Sequence, residues 1–184
     1  MSESNREFER LVELHHHRLY NVALRLTSDA DVAADLTQQT FVRAFRAWDR
    51  FRKNSQSYTW MYRILVNLNK DRLSGEIRRR SREQPLLAVE SDTEVMDVRD
   101  LRQDVHRSAE RTELQQTVQT AIESLPQGYR ECIVLRDVEG LSYQEIAETL
   151  GVSLEAVRSR LARARQHLRE KLAPYVQDSS RYGG

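Results

Sequence analysis

The sequence predicts an all-α protein: two small helical domains joined by a flexible acidic linker. Three observations carry this. Apolar residues recur at helical spacing along most of the chain. Helix breakers are scarce, with six Gly and three Pro among 184 residues, while charged residues reach 31%; such a composition favours helices over strands. Between the two periodic blocks, Glu90 to Asp104 holds six carboxylates, two arginines and too few apolar residues for a core. That stretch reads as a solvated tether, extended or weakly helical. The expected division is 1–84 for the first domain, 85–108 for the linker, 109–176 for the second domain and 177–184 for a frayed tail.

In the first domain, Phe8, Leu11, Leu14 or His15, Leu19, Val22, Ala23 and Leu26 keep helical spacing, with the helix ending near Thr27. Ser28 or Asp29 then caps a second helix whose first turn is acidic, as its dipole favours. Val32, Leu36, Phe41, Ala44, Phe45 and Trp48 give that helix an apolar stripe. "FRKNSQS" breaks the pattern and reads as a loop. "YTWMYRILVNLNKDRL" begins a third helix, apolar nearly all round and rich in aromatics, which runs out into "RRRSR".

In the second domain, Leu114, Val118, Ala121, Ile122 and Leu125 form a helix that Pro126 stops. "GYRECIVLRDVEGLS" forms the next, ending at Gly140. Ser142 and Glu145 have the spacing of a capping box at the start of a third. Gly151 makes a turn that needs positive φ, and Ser153 caps a fourth helix.

The net charge of +1 says little about partners. Cys132 is the only cysteine, which excludes an intramolecular disulfide and fits a reducing compartment. The N-terminus lacks the apolar core of a secretion signal. No stretch approaches the ~20 apolar residues of a membrane span, so a cytoplasmic location is expected. No phosphate loop, zinc-ligand set or nucleophile motif is present, and neither catalysis nor a cofactor is expected. His15 to His17 point about 100° apart on a helix and cannot close round one metal. Asp29, Asp31 and Asp35 sit near one helix start, where capping explains them better than a nuclease site does.

Two stretches carry chemistry. In "SYQEIAETLGVSLEAVRSRLARAR", Ile146, Ala147 and Leu150 face inward from one helix, and Val157 and Leu161 from the next. A small residue, a turn glycine and an inward β-branched residue at this spacing make a helix-turn-helix, whose second helix enters the major groove. Leu154, Val157, Leu161, Ala164 and Leu168 form its buried stripe; Arg158, Ala162, Arg165 and Arg169 lie on another face, with Glu155 and Ser159 near the N-terminal end. The plain alternative is a helical hairpin with a solvated basic face. In "KNSQSYTWMYRILVNLNKDR", Tyr58, Trp60 and Tyr62 interleave with Arg63, Asn67, Asn69, Lys70 and Arg72. Aromatic faces beside amides and cations stack unpaired bases, at about 1–3 kcal/mol each. The alternative is that Trp60 and Tyr62 are core.

Taken together, "DVAADLTQQTFVRAFRAWDRF", "YTWMYRILVNLNKDRL" and "SYQEIAETLGVSLEAVRSRLARAR" resemble the bacterial group IV, or extracytoplasmic-function, sigma factors of RNA polymerase. The resemblance runs from about Glu7 to Leu172. It implies a sigma region 2 bundle and a sigma region 4 helix-turn-helix bundle. It implies that Asp35, Leu36, Gln38, Gln39, Phe41 and Arg43 dock on the β′ clamp helices of core polymerase. Relatives often carry Glu where this chain has Gln39. It implies a pocket for a flipped −10 base at Lys53, Asn54, Ser57 and Tyr58, where relatives have "RGDS" or "RGES" and this chain has "RKNS". Trp60, Arg63, Asn67, Lys70 and Asp71 would lie beside it. Glu155, Arg158, Ser159, Ala162, Arg163 and Arg165 would read or grip the −35 duplex, with the second domain touching the β flap. Position 162 is often bulkier in relatives. The implied partners are core polymerase, promoter DNA and an anti-sigma factor, and the linker would have the charge to thread the RNA channel. The rival functions are a stand-alone DNA-binding regulator and a protein-interaction module.

Overall fold

The computed structural model describes residues 3–51, 57–83 and 113–179. Among these residues every regular element is a helix. The expected linker, the tip of the "FRKNSQS" loop with Lys53 and Asn54, and the last five residues lie outside them.

Helix α1 (Glu3–Thr27) is followed by α2 (Ala30–Ala47). The corner is sharp: Ser28 takes φ 57°, and Asp29 is the cap, its carboxylate accepting from the N–H groups of Asp31 and Val32 at 3.0 Å each. Helix α2 ends in a 3₁₀ turn (Trp48–Arg50), and α3 (Ser57–Glu83) follows. Leu19, Val22, Ala23 and Leu26 of α1 meet Ala33, Leu36 and Ala44 of α2 and Met61, Leu65, Val66 and Leu68 of α3 in a continuous buried core. Thr37 and Thr40 are buried on α2 but donate to the carbonyls of Ala33 and Leu36, at 2.7 Å each, so their hydroxyls are satisfied.

Helix α4 (Glu113–Glu123) is separated by a turn at Pro126 from α5 (Gln127–Ile133). The chain then widens into a π turn (Val134–Val138) that Gly140, at φ 76°, brings to a stop. Helix α6 (Tyr143–Leu150) starts with a complete capping box: the Ser142 hydroxyl accepts from the Glu145 N–H at 3.2 Å, and the Glu145 carboxylate accepts from the Ser142 N–H at 2.8 Å. Gly151 takes φ 68° and closes the turn onto the Ala147 carbonyl at 2.9 Å. Helix α7 (Leu154–Ser179) is capped by Ser153, whose hydroxyl accepts from the Ala156 N–H at 3.1 Å. It runs past Pro174 to Ser179, beyond the residue 176 at which the second domain was expected to end.

The two bundles are not held apart. Helix α3 packs against α6 as well as against α1 and α2, and buried residues of both bundles join one core cluster. The reason is in α3 itself. Tyr62 and Asn69 are buried at 1% exposure beside the inward leucines, so the helix buries more than one face. Specific contacts fix the arrangement. Glu139, after the π turn, accepts from Arg18 Nε at 2.6 Å and from the Tyr62 hydroxyl. Lys70 donates to the Leu150 carbonyl at 3.1 Å. Arg130 donates to the Leu26 carbonyl at 3.1 Å.

Candidate nucleic-acid interface

The surface on α7 is the simplest. Val157, Leu161 and Ala164 are buried, which turns the opposite side of the helix outward. Glu155, Arg158, Ser159, Ala162 and Arg163 are all exposed there, at the N-terminal half of the helix. That is the part of a recognition helix that meets base edges. Arg165 sits differently. It is half-buried, and its guanidinium donates to both oxygens of Asp137 at 2.8 and 3.3 Å. Its hydrogen bonds to Asp137 and Tyr143 raise its already high pKa. Arg165 ties α7 to the π turn, and a phosphate would have to compete with a carboxylate for it.

On α3, the stripe i, i+3, i+7 is set by the helix pitch. Arg63, Asn67 and Asp71 are exposed along it, and Trp60 is half-buried at its start. Trp60 stacks on Phe51 with centroids 4.5 Å apart, and Phe51 stacks on Trp48 at 5.6 Å. Tyr58 is half-buried beside His15, with the Arg18 guanidinium 5.5 Å from its ring centroid. A cleft lined by Leu11, Leu14, His15, Trp48, Phe51 and Ser57 opens between α1 and the start of α3. Burial and the nearby Arg18 charge push the His15 pKa down, favouring neutral imidazole. Tyr62 belongs to the interior; burial and its bond to Glu139 push its hydroxyl far above the usual range. Lys70 is half-buried and already holds the Leu150 carbonyl.

On α2, Asp35, Gln38, Gln39 and Arg43 are exposed and line a shallow groove with Val42 and Arg46. Gln39 donates to Asp35 at 2.7 Å, which orients both groups. Leu36 is not on this surface: it is 3% exposed and packs in the core. Phe41 is half-buried under the ring of His16, whose centroid is 6.0 Å away. Phe45 was expected in the inward stripe but is 51% exposed; its ring meets that of Phe8 at 5.2 Å. It continues the groove surface together with Val42.

Two family models match the chain. The sigma-70 region 2 model covers residues 11–83, and the sigma-70 region 4 model covers residues 115–168. The RNA polymerase sigma-H factor of Pseudomonas aeruginosa is 34% identical over 179 residues, covering 95% of this chain and 90% of its own. The chain belongs to the extracytoplasmic-function (ECF) sigma factors. The ECF RNA polymerase sigma-E factor of Escherichia coli K12 is 35% identical over 170 residues, covering 92% of this chain and 88% of its own. Among solved structures, the sigma factor RpoE from Bartonella quintana, in complex with the anti-sigma factor NepR, matches with a TM-score of 0.69 at 28% identity, covering 91% of this chain and 97% of that one. CnrH, in complex with the cytosolic domain of CnrY, matches with a TM-score of 0.64 at 28% identity, covering 92% and 90%. The α1–α3 bundle is the region 2 part of this sigma factor, and the helix-turn-helix of α6 and α7 is its region 4 part. Among the described residues no helix is long and apolar enough to cross a membrane.

Sequence reasoning missed Val42, Phe45 and Arg46 as surface residues, and Trp48 and Phe51 as the support of Trp60. The signal for Phe45 was available. It lies one residue after Ala44, which is fully buried, so the 100° step carries it off the stripe.

Proposed function

We propose that this ECF sigma factor works by differential binding and makes no bonds itself. Residues 1–84 dock on core polymerase through Asp35, Gln38, Gln39 and Arg43 and capture unstacked −10 bases. Ser57, Tyr58 and Trp60 receive a base, with Lys53 and Asn54 at the loop tip. Arg63, Asn67, Lys70 and Asp71 flank the strand. Residues 109–176 read the −35 duplex through Glu155, Arg158, Ser159, Ala162 and Arg163. Capturing a base offsets the few kcal/mol that unstacking costs, so the open strand is favoured. The protein acts in the cytoplasm with core polymerase and promoter DNA, and an anti-sigma factor is a further partner. The solved complexes of RpoE with NepR and of CnrH with CnrY support that last point.

The observation that carries this reading is the presence of two different exposed surfaces on one chain. One is a groove-reading helix face with Arg158 and Ser159; the other is an aromatic stripe with Trp60, Arg63 and Asn67. A stand-alone regulator needs only the first. Run-off transcription with purified core polymerase tests it, alongside gel shifts with and without core. Promoter-dependent transcripts are expected, with tight specific shifts only when core is present. Tight specific binding by the free protein, with no transcript, would establish the regulator instead.

A further inference from the structure

The basic run of α7 holds an arginine that the −35 surface does not use. Arg160 stands between Arg158 and Arg163 in the chain, yet it is half-buried where both of those are exposed. Helix pitch accounts for the difference. Arg160 follows Val157 by three residues and precedes Ala164 by four, and both of these are fully buried. Its side chain therefore leaves α7 on the flank of the core stripe, toward α5 and away from the reading face.

On α5 it meets a notch. A Cβ placed on Gly128 would lie 3.3 Å from both the Arg160 guanidinium carbon and its Nη1, closer than ordinary van der Waals contact. Among the described residues the positive-φ glycines are Gly140 and Gly151. The backbone at Gly128 does not call for glycine, and glycine is a poor helix former. What glycine supplies there is room for the guanidinium.

Behind the notch, two groups draw the charge inward. Glu131 is 1% exposed and Cys132 is fully buried. Burial pushes the Glu131 carboxyl above its ordinary range, and Lys70, the Gln127 amide, Arg160 and Arg130 act against that rise. Burial likewise pushes the Cys132 thiol up to about 11, and Arg160 opposes this by its charge and by a hydrogen bond. A buried carboxylate keeps its charge only beside cations and hydrogen-bond donors. Two neighbours extend the contact. Arg163 donates to the Tyr129 hydroxyl at 3.4 Å, and the His167 ring lies 6.1 Å from that of Tyr129. Arg160, Arg163 and His167 step by three and four, so one line of α7 runs along the first turn of α5.

On the −35 reading of α7, on which this rests, we propose that Arg160 is a positioning residue for promoter recognition. Seated in the Gly128 notch, it sets how far and at what angle α7 enters the major groove, and it touches no DNA itself. Base-edge contacts need their side chains held to within about 0.5 Å. Loosening α7 should therefore cost discrimination between sequences before it costs binding.

The test uses holoenzyme assembled with core polymerase and a promoter library randomised at the −35 element. Arg160→Met removes the charge and keeps the stem. Arg160→Lys keeps the charge and loses the planar fork. Gly128→Leu fills the notch from α5, which makes no proposed DNA contact. Thermal unfolding identifies a variant that fails to fold, and the others still decide. Discrimination against a single wrong −35 base pair, ordinarily about 5- to 150-fold, should fall about threefold or more at several positions in Arg160→Met and Gly128→Leu, and less in Arg160→Lys. The slope of log affinity against log salt should stay the same. A slope reduced by about 1 in Arg160→Met, with discrimination kept, would make Arg160 a phosphate contact and overturn the proposal. A lower unfolding midpoint with slope and discrimination both unchanged would make it a packing residue alone, which overturns it equally. A parent holoenzyme indifferent to the −35 sequence would remove the −35 reading itself, a failure visible before any variant is made.

Discussion

Helices α3 and α7 are nearly equal in length, at 27 and 26 residues, and both carry basic residues beside apolar ones. They differ in how many neighbours they serve. Helix α7 buries one stripe, through Val157, Leu161 and Ala164, and leaves Glu155, Arg158, Ser159 and Ala162 to solvent. Helix α3 is buried on two sides. Met61, Leu65 and Leu68 serve the region 2 core, while Tyr62 faces Glu139 and Lys70 reaches Leu150. Over about its first four turns, a narrow strip at Arg63, Asn67 and Asp71 stays open. A helix with one partner separates its structural and functional residues cleanly. A helix with two partners must use polar and aromatic residues for packing, and some of them then do two jobs.

The largest effects come from emptying each core. Leu161→Ala on α7 and Leu65→Ala on α3 each remove a fully buried side chain. Each should cost about 2–5 kcal/mol. Because the two bundles share one core cluster, urea unfolding followed by circular dichroism should show a single transition for each variant, at a lower midpoint. Two transitions, with only the mutated bundle shifted, would mean that the bundles melt separately and that the α3–α6 seam contributes little.

Next comes Trp60→Ala. The ring stacks on Phe51 at 4.5 Å and is only half-buried. Losing a base stack of about 1–3 kcal/mol should damage promoter opening more than closed-complex binding. Permanganate reactivity of the −10 thymines, compared with footprinting of the duplex complex, separates the two. An equal loss in both would make Trp60 a packing residue alone.

This contrast also explains what the sequence could and could not reveal. Capping at Asp29, Ser142 and Ser153 and the turn at Gly151 were readable because each device lies within about four residues of chain. The α7 stripe was readable because its spacing has one period and one partner. Leu36 shows two signals in conflict. Its spacing placed it in the inward stripe of α2, while the family resemblance placed it on the docking surface; at 3% exposure, the stripe prevailed. The pairing of Tyr62 with Glu139 spans 77 residues and no local pattern announces it. Nor does anything local announce the π turn at Val134–Val138, or Glu131, which is buried at 1% with its pKa raised chiefly by desolvation. The Tyr62–Glu139 pair and the burial of Glu131 both come from tertiary packing.

On α7 the comparison can be drawn residue by residue. Arg158 is exposed and points away from the core stripe. Arg158→Ala should weaken −35 duplex binding by about 1–3 kcal/mol if it meets a base edge, with specificity relaxed at one position. If it meets only phosphate, binding should fall evenly across sequences and the salt slope should drop by about 1. From four such contacts the parent slope is expected near −3.6. A flat salt dependence would remove the electrostatic part of the argument.

Arg165 is the smallest effect and the sharpest control. It shares the basic side of α7 with Arg158 in sequence, seven residues or about two turns further on. The structure gives its guanidinium to Asp137 at 2.8 Å, with both side chains about two-fifths exposed. Surface pairs of this kind contribute only about 0–1 kcal/mol. Arg165→Ala should therefore lower the unfolding midpoint slightly and change −35 affinity less than Arg158→Ala does. Asp137→Asn isolates the tie, because it frees Arg165 without removing its charge. If Asp137→Asn tightens duplex binding, the carboxylate had been competing with phosphate for the guanidinium. If it leaves affinity unchanged, Arg165 is solely a brace that holds α7 against the π turn, and the reading surface ends at Arg163.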